Sequence, residues 1–423
     1  MLRLALGLDL GSSGLRLAVL SPDGPAGGVL LEEHSSPYPG PFEDPQAWLN
    51  GLIQLLSRLQ PSIRQRLGAI AIDGTSGTLL ICRSDGSLPS GTLGRALAYH
   101  QACEEHAELV LRLAGSGPAA SPSGSLARAL RLLARAALEH RGGDWLLRHQ
   151  ADWLMGWVLG DWRWGEEGNN LRLGWDPQNQ QWSGVIDQQA WSQALPRICP
   201  SGKLLGVLAP EAATLLNLPA DCRVVAGSTD ANAAVLAADP GPGDGITVLG
   251  TTLVLKRFLP HPLEGPGLSN HRLDGRWLVG GASNSGAGVL RQYFSDRQLA
   301  ELSRQINPDR PSGLQLRPLP RRGERFPDDN PELEPILGPR PCSDALFLQG
   351  LLEGLSDIEA HGWQRLQPRD APPLRRVITL GGGAVNPQWR ALRQRRLGLP
   401  VLNRPHCSAA LGMARLAARR MGD

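Results

Sequence analysis

Twice in this sequence an apolar run meets a glycine, two hydroxyl residues and a second apolar run. Residues 3–10, Gly11-Ser12-Ser13-Gly14 and residues 15–20 form the first occurrence; residues 246–249, Gly250-Thr251-Thr252 and residues 253–256 form the second. Each reads as two strands joined by a tight turn. Between them Pro240-Gly241-Pro242-Gly243-Asp244-Gly245 is all turn chemistry and marks a boundary. A chain of 423 residues in which such a hairpin opens each part is expected to form two related lobes, 1–240 and 241–423. Short apolar runs punctuated by 51 glycines and 35 prolines fit a mixed α/β chain and exclude a helical bundle or a sandwich.

The same pattern is expected again at residues 67–81, where an apolar run reaches Ile72-Asp73, turns at Gly74-Thr75-Ser76-Gly77 and continues through Thr78. Residues 115–124 read as a loop. A helix follows over 125–140, with Leu126, Leu130, Leu133 and Ala137 on one stripe and Arg128, Arg131 and Arg135 on the wet side. Eight of the 12 tryptophans fall between Trp145 and Trp191; packing is the expected role, with a sugar-lining role as the alternative.

Charge narrows the partners. Lys203 and Lys256 are the only lysines among 43 basic residues, and against 40 acids the net charge is +3, too small an excess to demand nucleic acid. The six cysteines (82, 103, 199, 222, 342, 407) form no CxxC pair, which fits neither a disulfide framework nor a zinc site. Asp9 interrupts the N-terminal apolar run, and no stretch reaches the eighteen or so uncharged residues of a membrane span. The expectation is a cytoplasmic protein that binds neither membrane nor nucleic acid.

Several residues point to chemistry. Tight Gly/Ser/Thr turns leave backbone N–H groups and hydroxyls for a polyphosphate, although one such turn alone is an ordinary hairpin. Asp9 closes an apolar strand, where a carboxylate is costly unless it caps a turn or meets a cation. Asp230 lies where residues 224–229 hand a strand to the Ala-rich run 231–238. It either caps that helix or aims a carboxylate that accepts a hydroxyl proton or positions Mg²⁺. Gly381-Gly382-Gly383-Ala384 after a strand, with Asn386 and Trp389, and the Gly280–Gly288 loop with Gly286 before a helix, both let a flat ligand lie against backbone.

In order, residues 9–16 (Asp-Leu-Gly-Ser-Ser-Gly-Leu-Arg), 227–233 (Gly-Ser-Thr-Asp-Ala-Asn-Ala), Leu249-Gly250-Thr251-Thr252 and residues 381–386 resemble the FGGY family of carbohydrate kinases, and the likeness runs essentially end to end. The resemblance implies an α/β, actin-like (ribonuclease-H-like) two-lobed sugar kinase fold with a central cleft, binding a small-molecule sugar and ATP with Mg²⁺. On it, Asp230 matches the catalytic base and Asp9 the carboxylate on the Mg²⁺ and phosphate side, with both aspartates holding the metal largely through water. The ATP side would be Gly11, Ser12, Gly250, Thr251, Thr252, Gly286, Gly382, Gly383, Asn386 and Trp389. The sugar and phosphoryl side would be Asp9, Ser13, Gly14, Leu15, Arg16, Asp73, Ser76 and Asp230.

Departures narrow the substrate. Xylulose kinases of the family carry Gln-Met-His-Gly where this chain has Thr75-Ser76-Gly77-Thr78, and the common Trp-x-Asp-x-Arg is here Tyr99-His100-Gln101-Ala102-Cys103. The combination of residues 72–78, Ala151-Asp152-Trp153-Leu154 and residues 280–284 is most similar to the compact cyanobacterial and plant-plastid branch associated with D-ribulose kinase activity. Asp73 and Ser76 would then replace the missing His. The expected reaction is D-ribulose to D-ribulose 5-phosphate, with xylulose or another pentulose or polyol as alternative acceptor and a catalytically degenerate sugar or nucleotide sensor as the alternative of another class.

Overall fold

The computed structural model describes residues 3–23, 27–115, 117–139 and 143–422. Met1 and Leu2 of the first apolar run, Gly24 after the opening hairpin, Ser116 in the expected loop and His140 of the expected helix lie outside them. The chain divides into two units: unit 1 comprises Met1–Asp239, Arg272–Gly275 and Ser408–Asp423, and unit 2 comprises Pro240–His271 and Arg276–Cys407.

Unit 1 is built on a six-stranded sheet. Its strands are β1 (Leu4–Gly11), β2 (Gly14–Ser21), β3 (Val29–Ser36), β4 (Leu67–Gly74), β5 (Leu204–Val207) and β6 (Arg223–Thr229), in the order β5-β6-β4-β1-β2-β3. The first hairpin forms as its turn chemistry dictates, with Leu10 opposite Leu15 and Gly11 opposite Gly14. On its other side β1 runs parallel to β4, and β4 parallel to β6. Both edges and both faces of β4 are thus covered, which is why it reads LGAIAIDG with every residue buried. For the same reason residues 67–81 are not a hairpin. Leu79–Arg83 leaves the sheet and pairs antiparallel with Trp145–His149 instead.

Helices α1 (Pro45–Ser57), α3 (Gln150–Leu159) and α4 (Asp230–Ala237) pack on this sheet, whereas α2 (Ser125–Glu139) packs on the separate strand Leu79–Arg83. In α2 the expected stripe is rotated. Leu132 and Ala136 are buried and Ala137 is exposed, while Arg128, expected in water, is fully buried. Its guanidinium is stabilised there by the carbonyls of Gly77 (3.1 Å), Tyr99 and Ser123 (2.9 Å). Of the tryptophan cluster only Trp153 is buried; the other seven are half-buried, six of them packed against two separate apolar clusters and Trp175 edge-on to Trp182.

The last helix, Ala409–Ala418, lies in unit 1 although its sequence follows all of unit 2. It approaches β1 so closely that a Cβ on Gly7 would lie 1.9 Å from the Ala410 carbonyl oxygen. A Cβ on Gly412 would lie 1.9 Å from the Ala233 oxygen of α4. Small residues at the contact let backbone pack on backbone.

Unit 2 repeats the topology. Its strands are β7 (Asp244–Leu249), β8 (Leu253–Leu259), β9 (Leu268–Leu273), β10 (Arg276–Ala282), β11 (Arg376–Leu380) and β12 (Val401–Asn403), in the order β9-β10-β8-β7-β11-β12. In each unit three successive antiparallel partners (β1-β2-β3; β7-β8-β10) are followed by two strands parallel to the first (β4, β6; β11, β12). Helices α5 (Asp344–Arg365) and α6 (Pro387–Leu397) pack around a core that includes Phe326, Phe347, Trp363 and Trp389. A buried Arg393–Glu359 pair (Nε to Oε2, 2.6 Å) ties α6 to α5, and Thr247 and Thr379 hydroxyls complete it from β7 and β11.

Candidate active site

The register of unit 1 lines up its charged residues. Asp9 on β1 faces Arg16 across the hairpin and Asp73 across the parallel pair, and Asp73 in turn faces Ser228 on β6. Register partners share a face, so Arg16, Asp9, Asp73 and Ser228 form one row across four strands. The row lies toward the carboxyl ends of the parallel strands, where open α/β sheets bind their ligands. Two residues past Ser228, Asp230 opens α4 and accepts the Ala231 N–H at 2.7 Å. The helix N-terminus favours its ionised form.

Burial sets the charge states. Asp9 is 2% exposed and accepts from Arg16 at 2.9 Å; burial raises its pKa and the Arg16 bond opposes the rise. Asp73 is fully buried, and its pKa lies well above the usual carboxylate range, first through burial and then through the charges of Asp9 and Asp230. Neither Asp73 oxygen meets an N–H or O–H donor. An ionised carboxylate without a donor is costly there, so burial favours the protonated form of Asp73. This corrects the expectation that Asp73 meets a sugar hydroxyl, because it lies beneath the surface that a sugar can touch.

Ser76 is less deeply buried than Asp73. It is half-buried in the turn after β4, and among the described residues its hydroxyl has no partner. Beneath it Thr75 is fixed by the Gln150 side chain, which accepts from both the Thr75 N–H (3.1 Å) and hydroxyl (2.8 Å). Gln150 then donates to the Tyr38 hydroxyl (3.3 Å), which donates to the Gly11 carbonyl (2.8 Å). Tyr38, Gln150 and Arg128 thereby tie the site's turns together, and sequence reasoning missed all three. The one available signal was Gln150, a polar residue where a strand hands over to an apolar helix.

At the first turn Ser12 and Ser13 are exposed and Gly11, Gly14 and Leu15 are buried. Among the described residues no acceptor faces the Ser12 or Ser13 N–H, which leaves both for a ligand. The charge set also fits Mg²⁺, which takes one or two carboxylates plus substrate oxygens. Asp9 Oδ1 is buried without a donor, a lone pair that a hydrated cation would satisfy. Among the described residues no three His, Cys, Asp or Glu side chains converge as a self-sufficient metal cage.

Unit 2 holds a cavity of about 680 Å³, within the range of small-ligand sites. Gly250, Thr251, Gly382, Gly383, Asn386 and Trp389 line it, together with the apolar side chains of Leu290 and Leu348. The Gly280–Gly288 loop serves this turn rather than a ligand. Ala287 and Gly288 N–H groups donate to the Gly250 (3.0 Å) and Thr251 (3.1 Å) carbonyls, and a Cβ on Gly286 would lie 2.5 Å from Thr251 O. Gly286 and Thr252 are therefore supports of the turn and do not line the cavity. Asn386 caps α6 by accepting the Trp389 N–H (3.0 Å) and donates to Ser303 (2.9 Å), so its amide is engaged rather than presented to a base edge. Trp389 is 2% exposed and belongs to the core, although it also borders the cavity.

Solved structures repeat this architecture over the whole chain. It is similar to a xyloylose kinase from Brucella ovis (20% identity, TM-score 0.81, 99% of this chain and 91% of that one). A xylulose kinase from Rhodospirillum rubrum matches likewise (19%, 0.80, 100% and 90%), as does a glycerol kinase with ADP from Plasmodium falciparum (15%, 0.77, 99% and 89%). The fold is thus the actin-like, two-unit fold of the sugar kinases. In sequence, residues 245–421 match the FGGY family of carbohydrate kinases, C-terminal domain.

Proposed function

We propose that this protein is an ATP- and Mg²⁺-dependent ketopentose kinase that converts D-ribulose to D-ribulose 5-phosphate. The observation that carries the reading is Asp230 at the head of α4, beside the Arg16–Asp9–Asp73 row. Unit 1, chiefly residues 1–240, supplies the acceptor side, and the cavity and Gly-Thr-Thr turn of residues 241–423 supply the nucleotide side. Asp230 accepts the proton of the terminal hydroxyl as its oxygen bonds to the γ-phosphorus, while the bond to the bridging oxygen breaks and ADP leaves. Such a transition state is loose and needs chiefly alignment and charge neutralisation. Mg²⁺ held by Asp9 and Asp230 through water would neutralise the phosphate oxygens. Arg16 faces the transferred group and holds Asp9 in place. The Ser12 and Ser13 N–H groups and Gly14-Leu15 bound the phosphoryl side, and Ser76 meets a sugar hydroxyl.

The test is ADP release over D-ribulose, L-ribulose, D-xylulose, gluconate and glycerol, with Asp230→Asn as control. D-Ribulose is expected to give the highest kcat/KM. A flat response to every acceptor sinks the kinase reading in favour of a sensor, and preference for D-xylulose reassigns the substrate. A fully active Asp230→Asn protein removes Asp230 from the chemistry.

A further inference from the structure

Unit 1 contains a second cavity, of about 400 Å³, that the kinase reading does not use. Glu43, Thr92, Arg95, Gln101, Arg131 and Arg135 supply its polar lining. Arg131 and Arg135 lie one turn apart on α2, an i,i+4 placement of like charges that weakens a helix unless something answers them. Arg131 is answered: it donates to Glu105 at 2.5 and 2.7 Å and to the Ala102 carbonyl at 3.1 Å. Arg95 and Arg135 are not. Among the described residues neither the exposed Arg95 nor the half-buried Arg135 makes an ion pair or side-chain hydrogen bond, although Glu43 lines the same space. The backbone beneath is fixed: Ala96 N–H donates to Glu43 O (2.8 Å), Leu97 pairs with Leu79, and Gln101 accepts from Ala98 N–H (3.1 Å).

Two guanidiniums without a protein partner and an acidic residue around one space suit a ligand that carries an anionic end and hydroxyls. Guanidinium forks match phosphate oxygens, and a carboxylate accepts from hydroxyls but repels a second anion. We propose that this cavity is a binding site for a small phosphorylated polyol, with the phosphate on Arg95 and Arg135 and a hydroxyl on Glu43. The site is separate from the Asp9–Asp230 region and does not depend on the kinase reading.

Titration calorimetry on the full chain tests it with glycerol 3-phosphate, inorganic phosphate and glycerol as probes. Glycerol 3-phosphate is expected to bind, glycerol to give no heat, and the double variant Arg95→Ala/Arg135→Ala to weaken glycerol 3-phosphate at least tenfold with an unchanged melting temperature. Glu43→Gln is expected to weaken glycerol 3-phosphate while leaving inorganic phosphate as it was. No binding of either anion overturns the proposal. So does binding that survives the double arginine variant or disappears in Asp230→Asn, since the anion then sits elsewhere.

Discussion

A carboxyl group kept protonated by burial leaves a mark on stability as well as on chemistry. The folded pKa of Asp73 lies above its unfolded value of about 3.9, so the folded state binds the proton more tightly. Stability from this group is therefore full below that unfolded value and is lost as pH rises toward the folded one. Unfolding free energy by urea titration is expected to fall with rising pH above about 4 in the native chain. The Asp73→Asn chain, which cannot ionise there, is expected to show a flatter profile; an identical slope would show that Asp73 is ionised throughout. Asp230→Asn makes a different prediction. Loss of a general base costs about 10²- to 10⁴-fold, and because the side chain is not a core element, the melting temperature is expected to hold. Steady-state kinetics on the best acceptor, set beside thermal denaturation, checks both. Asp9 and Asp230 were legible in the sequence because a carboxylate at a strand end is anomalous wherever it occurs. Asp73 was legible as a position but not as a protonated acid, since its charge state follows from neighbours on other strands.

Elements that close locally were also legible. Both Gly-hydroxyl-hydroxyl turns formed hairpins, because a tight turn and its flanking alternation are written in one stretch of chain. Residues 67–81 carried the same local signals and formed no hairpin, because parallel partners β1 and β6 claimed β4 first. Long-range pairing of this kind has no local signature. The Glu359–Arg393 network was illegible for the same reason: α5, α6, β7 and β11 each give one member. Both charges are 1% exposed, so removing one leaves the other uncompensated. Glu359→Leu alone is expected to cost about 3–5 kcal/mol, whereas Glu359→Leu/Arg393→Met is expected to recover most of that loss. Chemical denaturation of the two variants decides the matter, and equal losses would mean that packing rather than charge matters there.

At the scale of the whole molecule, chain order and unit membership disagree. Reading the sequence in order assigned everything after Pro240 to one lobe, but unit 1 regains the chain at Ser408. The terminal helix fully buries Ala410, Met413, Ala414, Leu416 and Ala417. Met413 and Leu416 alone are each worth about 1.5–3 kcal/mol of burial, a large share of the 5–15 kcal/mol by which a domain of ordinary stability stays folded. Its absence would also bare β1, whose eight residues are all buried. Unit 1 therefore cannot complete its core until residues 409–418 have been made. A chain ending at Cys407 is expected to lose the cooperative unfolding of unit 1. Hydrogen exchange should show β1, β4 and α4 unprotected while β7, β8 and β11 keep their protection. Gly412→Val, which forces a side chain against the Ala233 carbonyl, is expected to produce the same pattern in weaker form, at a cost of about 1–3 kcal/mol or more. Uniform loss across both units would instead mean that they fold as one cooperative body, and protection of β1 in the truncated chain would mean that the terminal helix only decorates a sheet already stable without it.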